Sequence, residues 1–426
     1  MPRPRILLIS TFYPWPLANG GASQRLALLH SALSQLGEVE LAIVASPEIL
    51  AEGRGIAEDK KQAIVIEVEA RPHGPTGPWN ALSRLPLGWI SRFFRRLATV
   101  HGYYKPAPEM ASWLREVAEE KRYDMMVGWN LRCAAMSGLT ELETTLPRIL
   151  DVDDIDWHTS LTRTLAHDSD NRRRLWMGRF VAWETRRVTL PLIKRFDRTW
   201  VCSEEDREEI DLPGMETLVN IPFRLPEHPQ LIPCGPTRPG NHEILCVGSL
   251  SWIRNIDGVD HFLVHCWPSI RERVPDATLR LVGQVNPELR ARWENYDGVK
   301  VEGYVENLRE AYEECAFTLG LVRWGAGTKI KVIESLAYRR TCVVTAHTWR
   351  GYRHDLFDGE SLLCGATDDA MVESCVQLLE NPELREKLAH CGFEITSERY
   401  TAEHFHDIVR NTCEPLLAEK ELLQGD

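Results

Sequence analysis

Short apolar runs separated by longer amphipathic segments set the pattern of this chain. The runs at 5–10, 39–45, 63–69 and 124–129 predict strands, as does the run entering the acidic segment 147–158. A loop rich in Pro and Gly follows the first run, and the spacing then predicts an amphipathic helix reaching about residue 36. This strand–loop–helix–strand order opens a parallel α/β sheet, where ligands sit at the C-terminal ends of strands. Segment 71–86 reads as a loop, 89–97 as a helix, 171–198 as one or two long helices, and 198–203 as a strand. Ser203 is placed to cap the acidic helix start 204–209. Pro and Gly then crowd residues 221–242, and the pattern restarts with strands at 243–247, 278–282, 299–303, 317–321 and 341–345. Helices are predicted through 273, at 368–379 and 382–390, and from 401 to 423.

A length of 426 residues exceeds what one core usually supports. The pattern therefore predicts an N-terminal domain at 1–225, a linker at 226–242, a second domain at 243–400, and a terminal helix at 401–426. Composition is that of a soluble globular protein, with 43% hydrophobic and 26% charged residues. The formal net charge of −12 argues against a protein that coats nucleic acid, and nearly all of it lies beyond about residue 200. Eleven cysteines without a CxxC or a regular spacing fit a reducing cytoplasm better than a disulfide framework. The first apolar run is too short for a signal-peptide core, and no run is long enough to span a membrane.

Candidate chemistry concentrates in four places. In Gly325–Ala337, glycines open a tight turn, Thr328 is placed as a helix cap, and Lys331 and Glu334 share one side of the helix start. Helix N-termini and lysines attract phosphate, and a carboxylate accepts hydrogen bonds from sugar hydroxyls. An ordinary capped surface helix with a Lys–Glu pair gives the same pattern. Gly20 and Gly21 would let a backbone approach a phosphate, or simply make a turn, and they do not form GxGxxG. Asp151, Asp153, Asp154 and Asp156 crowd a strand end, where they would hold a divalent metal, act as a base or stabilise positive charge. Finally, 89–97 and 171–198 mix Trp and Phe with many arginines, which suits an anionic membrane surface or a core-facing helix with a solvated basic edge.

Taken together, the segments 246–258, Leu281–Gly283, Gly303–Val305, Gly325–Ala337, Pro14–Arg25 and Val201–Asp206 resemble the retaining glycosyltransferases of family four, the group one glycosyltransferases. The resemblance covers nearly the whole chain. It implies the GT-B fold: two Rossmann-like domains facing each other across a cleft, with the C-terminal helix packing back on the first. It also implies sugar transfer with retention from a nucleotide-diphosphate donor, which is a substrate, with no cofactor and no metal. By position, Lys331 and Arg254 would hold the diphosphate and Glu334 the ribose. Gly327 and Thr328 would contact phosphate, Gly20 and Gly21 would approach it from the first domain, and the backbone at Val305 would meet the base. Asp153 or Asp154 would stand near the anomeric carbon, where the family has His-Asp.

The chain also departs from the family pattern. Ala326 occupies the place of the first of two glutamates, and Ser249 with the pair Arg254-Asn255 stands where many members have Arg and Lys. The implied partners are a nucleotide sugar and a glycan, lipid-linked or small-molecule acceptor, with no nucleic acid. The expected location is the cytoplasm, with peripheral contact at the inner face of the membrane. Two other readings stand beside this one: an epimerase or phosphorylase on a similar fold, and a non-catalytic homologue that binds a nucleotide sugar or a partner enzyme.

Overall fold

The computed structural model describes residues 3–15, 21–45, 47, 50, 64–69, 74–84, 88–120, 122–168, 170–221, 233–238, 240–305 and 307–424. Gly20, much of the Pro/Gly-rich part of the expected linker and parts of the 71–86 loop lie outside these. The chain divides into two compact units, Met1–Val219 with Ala402–Asp426, and Asn220–Thr401.

The first unit is built on a seven-stranded sheet: β1 (Arg5–Ser10), β2 (Glu38–Ala45), β3 (Ile64–Glu69), β4 (Met125–Trp129), β5 (Arg148–Asp151), β6 (Arg198–Val201) and β7 (Met215–Thr217). Its order is β3-β2-β1-β4-β5-β6-β7, and every pairing is parallel. β4 is buried along its whole length and β1 along all but its first residue, because helices cover both faces of a parallel sheet. The terminal helix Ala402–Gln424 is part of this unit. Trp200 donates to Thr412 at 3.0 Å, Thr412 donates to Glu216 at 2.7 Å, and Lys420 pairs with Asp124 at 2.6 Å, so the helix is pinned to β6, β7 and the start of β4.

The second unit repeats the design with β8 (Glu243–Val247), β9 (Thr278–Val282), β10 (Val299–Gly303), β11 (Phe317–Gly320), β12 (Cys342–Thr345) and β13 (Leu363–Gly365). Its order is β10-β9-β8-β11-β12-β13, again all parallel. In both sheets the chain direction reverses beside the first strand, between β1 and β4 and between β8 and β11, which are the switch points where α/β folds build sites. The stretch 233–238, expected within the linker, packs on the second unit: Cys234 is buried and its N–H reaches the Tyr338 carbonyl at 3.1 Å, while Arg340 donates to the Gly235 carbonyl at 2.9 Å.

Candidate active site

The second unit's switch point gathers one chemical cluster from two loops. β8 ends at Gly248, and the helix Ile253–His265 follows; β11 ends at Gly320, and a turn through Gly325 and Gly327 leads to the helix Lys331–Ala337. Both turn glycines have positive φ, +125° and +67°, which a side chain rarely adopts. A Cβ at Gly325 would also lie 2.7 Å from the Arg254 guanidinium, so this glycine admits Arg254, which spreads over Trp324 with 5.6 Å to the ring centroid.

Lys331 is the first residue of its helix, and its ammonium donates to the Asn255 side-chain oxygen at 2.9 Å. Asn255 in turn donates to the Ser249 carbonyl at 2.8 Å. Gly248 lies directly beneath: a Cβ there would come within 3.0 Å of the ammonium. Burial pushes the Lys331 amine below its ordinary pKa, while Cys246 and Glu334 pull it back up. Glu334, one turn on, accepts a 2.9 Å hydrogen bond from Tyr312, whose ring stacks on Tyr338 at 4.5 Å. Burial raises the Glu334 carboxyl above the usual carboxylate range, against the Tyr312 bond and the Lys331 charge. Val305 packs against the small cluster that contains Tyr312, and Tyr338 packs there as well. Lys331, Arg254, Gly325, Gly327 and Glu334 therefore gather at this switch point, with Val305 beside Glu334's partner.

One expectation about this stretch needs correction. Thr328 does not cap the helix: the N-cap is Ile330, in helical conformation and with no side-chain cap bond, and the Thr328 hydroxyl instead accepts from Asn220 at 2.8 Å. The alternative of an ordinary surface helix does not hold, because Val332, Ile333, Ser335, Leu336 and Ala337 are all buried, closed in by the sheet and the helix Pro382–Arg399. Sequence reasoning also missed Asn255's hold on Lys331 and the role of Lys329, whose ammonium ties together the carbonyls of Ala326 and Gly327 at 2.7 and 2.6 Å. A side-chain amide and a lysine in a loop carry no periodic signal that would have marked them.

In the first unit the acidic segment separates rather than converging. Asp151, at the end of β5, takes two bonds from Arg25 at 2.6 and 2.8 Å, and both side chains are fully buried. Arg25 lies on the helix Gly21–Leu36, whose first residue is Gly21, and it also donates to the Leu218 carbonyl at 2.8 Å. Asp153 sits 3.8 Å from Arg25 with φ +56°, a left-handed conformation, and receives the Cys202 thiol at its carbonyl and carboxylate, 3.0 and 3.4 Å away. Asp154 follows it on the same loop, and Asp156 turns away to accept from Tyr104. Among the described residues no group of His, Cys, Asp and Glu is arranged to hold a metal ion.

Burial, then the Asp154 charge, raise the Asp153 carboxyl to about 7 against the opposing pull of Arg25. Its folded pKa thus exceeds the unfolded value of about 3.9, so the native state binds the proton more tightly and the ionised group costs stability as pH rises from about 4 through 7. Asp153→Asn, which tolerates positive φ, is expected to gain on the order of 1–3 kcal/mol over the parent at pH 8, less at pH 5 and nothing near pH 3.5. Urea midpoints across that range check this; a gain independent of pH would show the carboxyl is not held neutral by its surroundings.

Comparison with known proteins gives the architecture and the site a context. Residues 241–381, which include the whole Lys331 cluster, match the family described as glycosyl transferases group 1. No curated protein sequence matches the chain significantly. Among solved structures the chain is similar to a sucrose-phosphate synthase of Thermosynechococcus elongatus, with 14% identity, TM-score 0.64, and 98% of this chain and 100% of that one covered. It is similar too to HepE of Anabaena in complex with UDP and glucose, with 12% identity, TM-score 0.63, and 97% and 100% covered. The lipopolysaccharide-biosynthesis glycosyltransferase WaaG aligns over 95% of this chain and 99% of its own, with 14% identity and TM-score 0.56. These likenesses carry the fold, and the family match lies within the second unit. Each unit carries a parallel sheet of the kind found in GT-B folds, and residues 241–381 of the second unit match the group 1 glycosyltransferases.

Proposed function

We propose that this enzyme moves a sugar, with retention at the anomeric carbon, from a nucleotide-diphosphate donor to a glycan, lipid-linked or small-molecule acceptor in the cytoplasm. The carrying observation is the Lys331 ammonium at the β8/β11 switch point, held by Asn255 over Gly248 and one turn ahead of Glu334. Its charge, with that of Arg254, neutralises the diphosphate as it leaves. Glu334, oriented by Tyr312, accepts the two ribose hydroxyls, and the backbone at Val305 meets the base. Thr328 already accepts from Asn220, so its own proton is available for a phosphate oxygen, beside the Gly327 backbone. The role of balancing the positive charge that develops at the anomeric carbon goes to Asp154, or to Asp153 in its ionised form, as the resemblance implies. HepE, solved with UDP and glucose, supports a uridine-diphosphate sugar as the first donor to try.

Thermal unfolding with a panel of nucleotide-diphosphate sugars tests this. One of them is expected to stabilise the protein by about 2–3 kcal/mol at a hundredfold excess over its Kd, and Glu334→Ala is expected to reduce that shift. Stabilisation by none of the panel would defeat the proposal. A second reading, a homologue that binds the donor without transferring it, is favoured by Ala326, buried where many members carry the first glutamate. Donor binding by calorimetry without turnover on any acceptor would select it.

A further inference from the structure

The first unit carries an aromatic and arginine-rich face that the donor chemistry does not use. Its two helices, Trp89–Tyr103 and Arg172–Ile193, pack together through aromatic rings: Phe93 lies 6.1 Å from Trp176, Trp176 stacks on Phe180 at 5.6 Å, and Phe180 meets Trp183 at 5.3 Å. Residues 176, 180 and 183 share one side of their helix. This ladder is only half covered, since Trp89, Trp176 and Trp183 are 42%, 59% and 55% exposed. Arg173 lies over the Trp89 ring at 4.6 Å, which joins the two helices at the surface.

The charge is as one-sided as the apolar surface. The first helix carries Arg92, Arg95 and Arg96 and no acid, and the second has six arginines against Glu184, which is buried and already bonded to Trp79, His101 and Arg187. Three of the six, Arg172 to Arg174, fill the first turn, where cations oppose the helix dipole, and Arg174 pairs with Asp168 at 3.2 Å. In a chain of net charge −12, this concentration of positive charge costs local stability and calls for an external anion. Protruding tryptophans with arginines around them suit the headgroup level of a bilayer, where the rings bury and the guanidinium groups meet lipid phosphates. No described helix is long and apolar enough to cross a membrane, so the contact would be one of surface only.

We infer that this Trp–Arg face docks the enzyme on an anionic lipid surface. The test is flotation of the full chain with vesicles of phosphatidylglycerol or of phosphatidylcholine. The protein is expected to float with the first, not the second, and to be released at about 1 M salt. Trp176→Ser with Trp183→Ser, and separately Arg172→Gln with Arg173→Gln, are each expected to weaken partitioning by roughly tenfold or more. Circular-dichroism melts and donor-dependent thermal stabilisation, run on the same variants, separate loss of fold or of the donor site from loss of this surface. Equal flotation with both lipids, no flotation, or binding unaltered by the tryptophan changes would overturn the inference. So would concentration-dependent self-association abolished by those changes, which would make a second copy the occupant.

Discussion

Lys331→Ala is expected to lower turnover on the order of 10²–10³-fold while changing folding stability by less than about 1 kcal/mol. The two halves of this expectation have one cause. The ammonium sits where burial disfavours its charge, so its removal relieves a desolvation cost and gives back what the Asn255 bond contributed. Asn255 keeps its bond to the Ser249 carbonyl, so the loop after β8 stays closed. What disappears is a fixed positive charge that becomes more valuable as the diphosphate gathers negative charge in the transition state. Lys331→Arg is expected to recover little, because the ammonium is buried and held as a point charge by Asn255, a place that a longer, planar guanidinium does not reproduce. Steady-state kinetics with whichever donor stabilises the protein, set beside melting curves, make the comparison. Turnover unchanged in the alanine variant would sink the role given to Lys331.

Much of this site was legible because its parts were local. Glycine is the residue that adopts positive φ freely, so the turn at Gly325 and Gly327 announced itself, and Lys331 and Glu334 needed only helical spacing to be placed together. The strands of both sheets were readable for a related reason. Strands covered on both faces show as mostly apolar runs, and β8 and β9 span the segments 243–247 and 278–282 expected from theirs. β7 and β13 were missed, each being three residues long, too short to display any period. Thr328 was misread because Asn220, which lies 108 positions away, takes its hydroxyl. The aspartates at 151–156 were read as one cluster for the same reason. Nothing in their spacing discloses that Arg25 claims Asp151 across 126 positions, or that Tyr104 draws Asp156 aside. Side chains that settle one another's charge from distant strands leave no mark in a local pattern.

Arg25 is where that hidden pairing has its largest consequence. Arg25→Met is expected to destabilise the first unit by about 3–5 kcal/mol, because it leaves the buried Asp151 carboxylate without its bidentate partner and strips Asp153 of its nearby cation. Asp151→Asn should cost less, since Arg25 still has Asp153 at 3.8 Å and the Leu218 carbonyl at 2.8 Å. Arg25→Met with Asp151→Leu is expected to recover most of the loss, as replacing both members of a buried pair with apolar groups of similar volume often does. The order of the three variants is the informative result, because a simple loss of packing would make the double change the worst rather than the mildest. Amide hydrogen exchange in urea, followed at β5 and at β6 with buried Trp200, reports on this unit without requiring the two units to unfold together. If Arg25→Met cost less than about 1 kcal/mol, the pair would be a surface-grade contact and the join it makes between the first helix, β5 and the segment after β7 would not be holding the sheet's C-terminal edge.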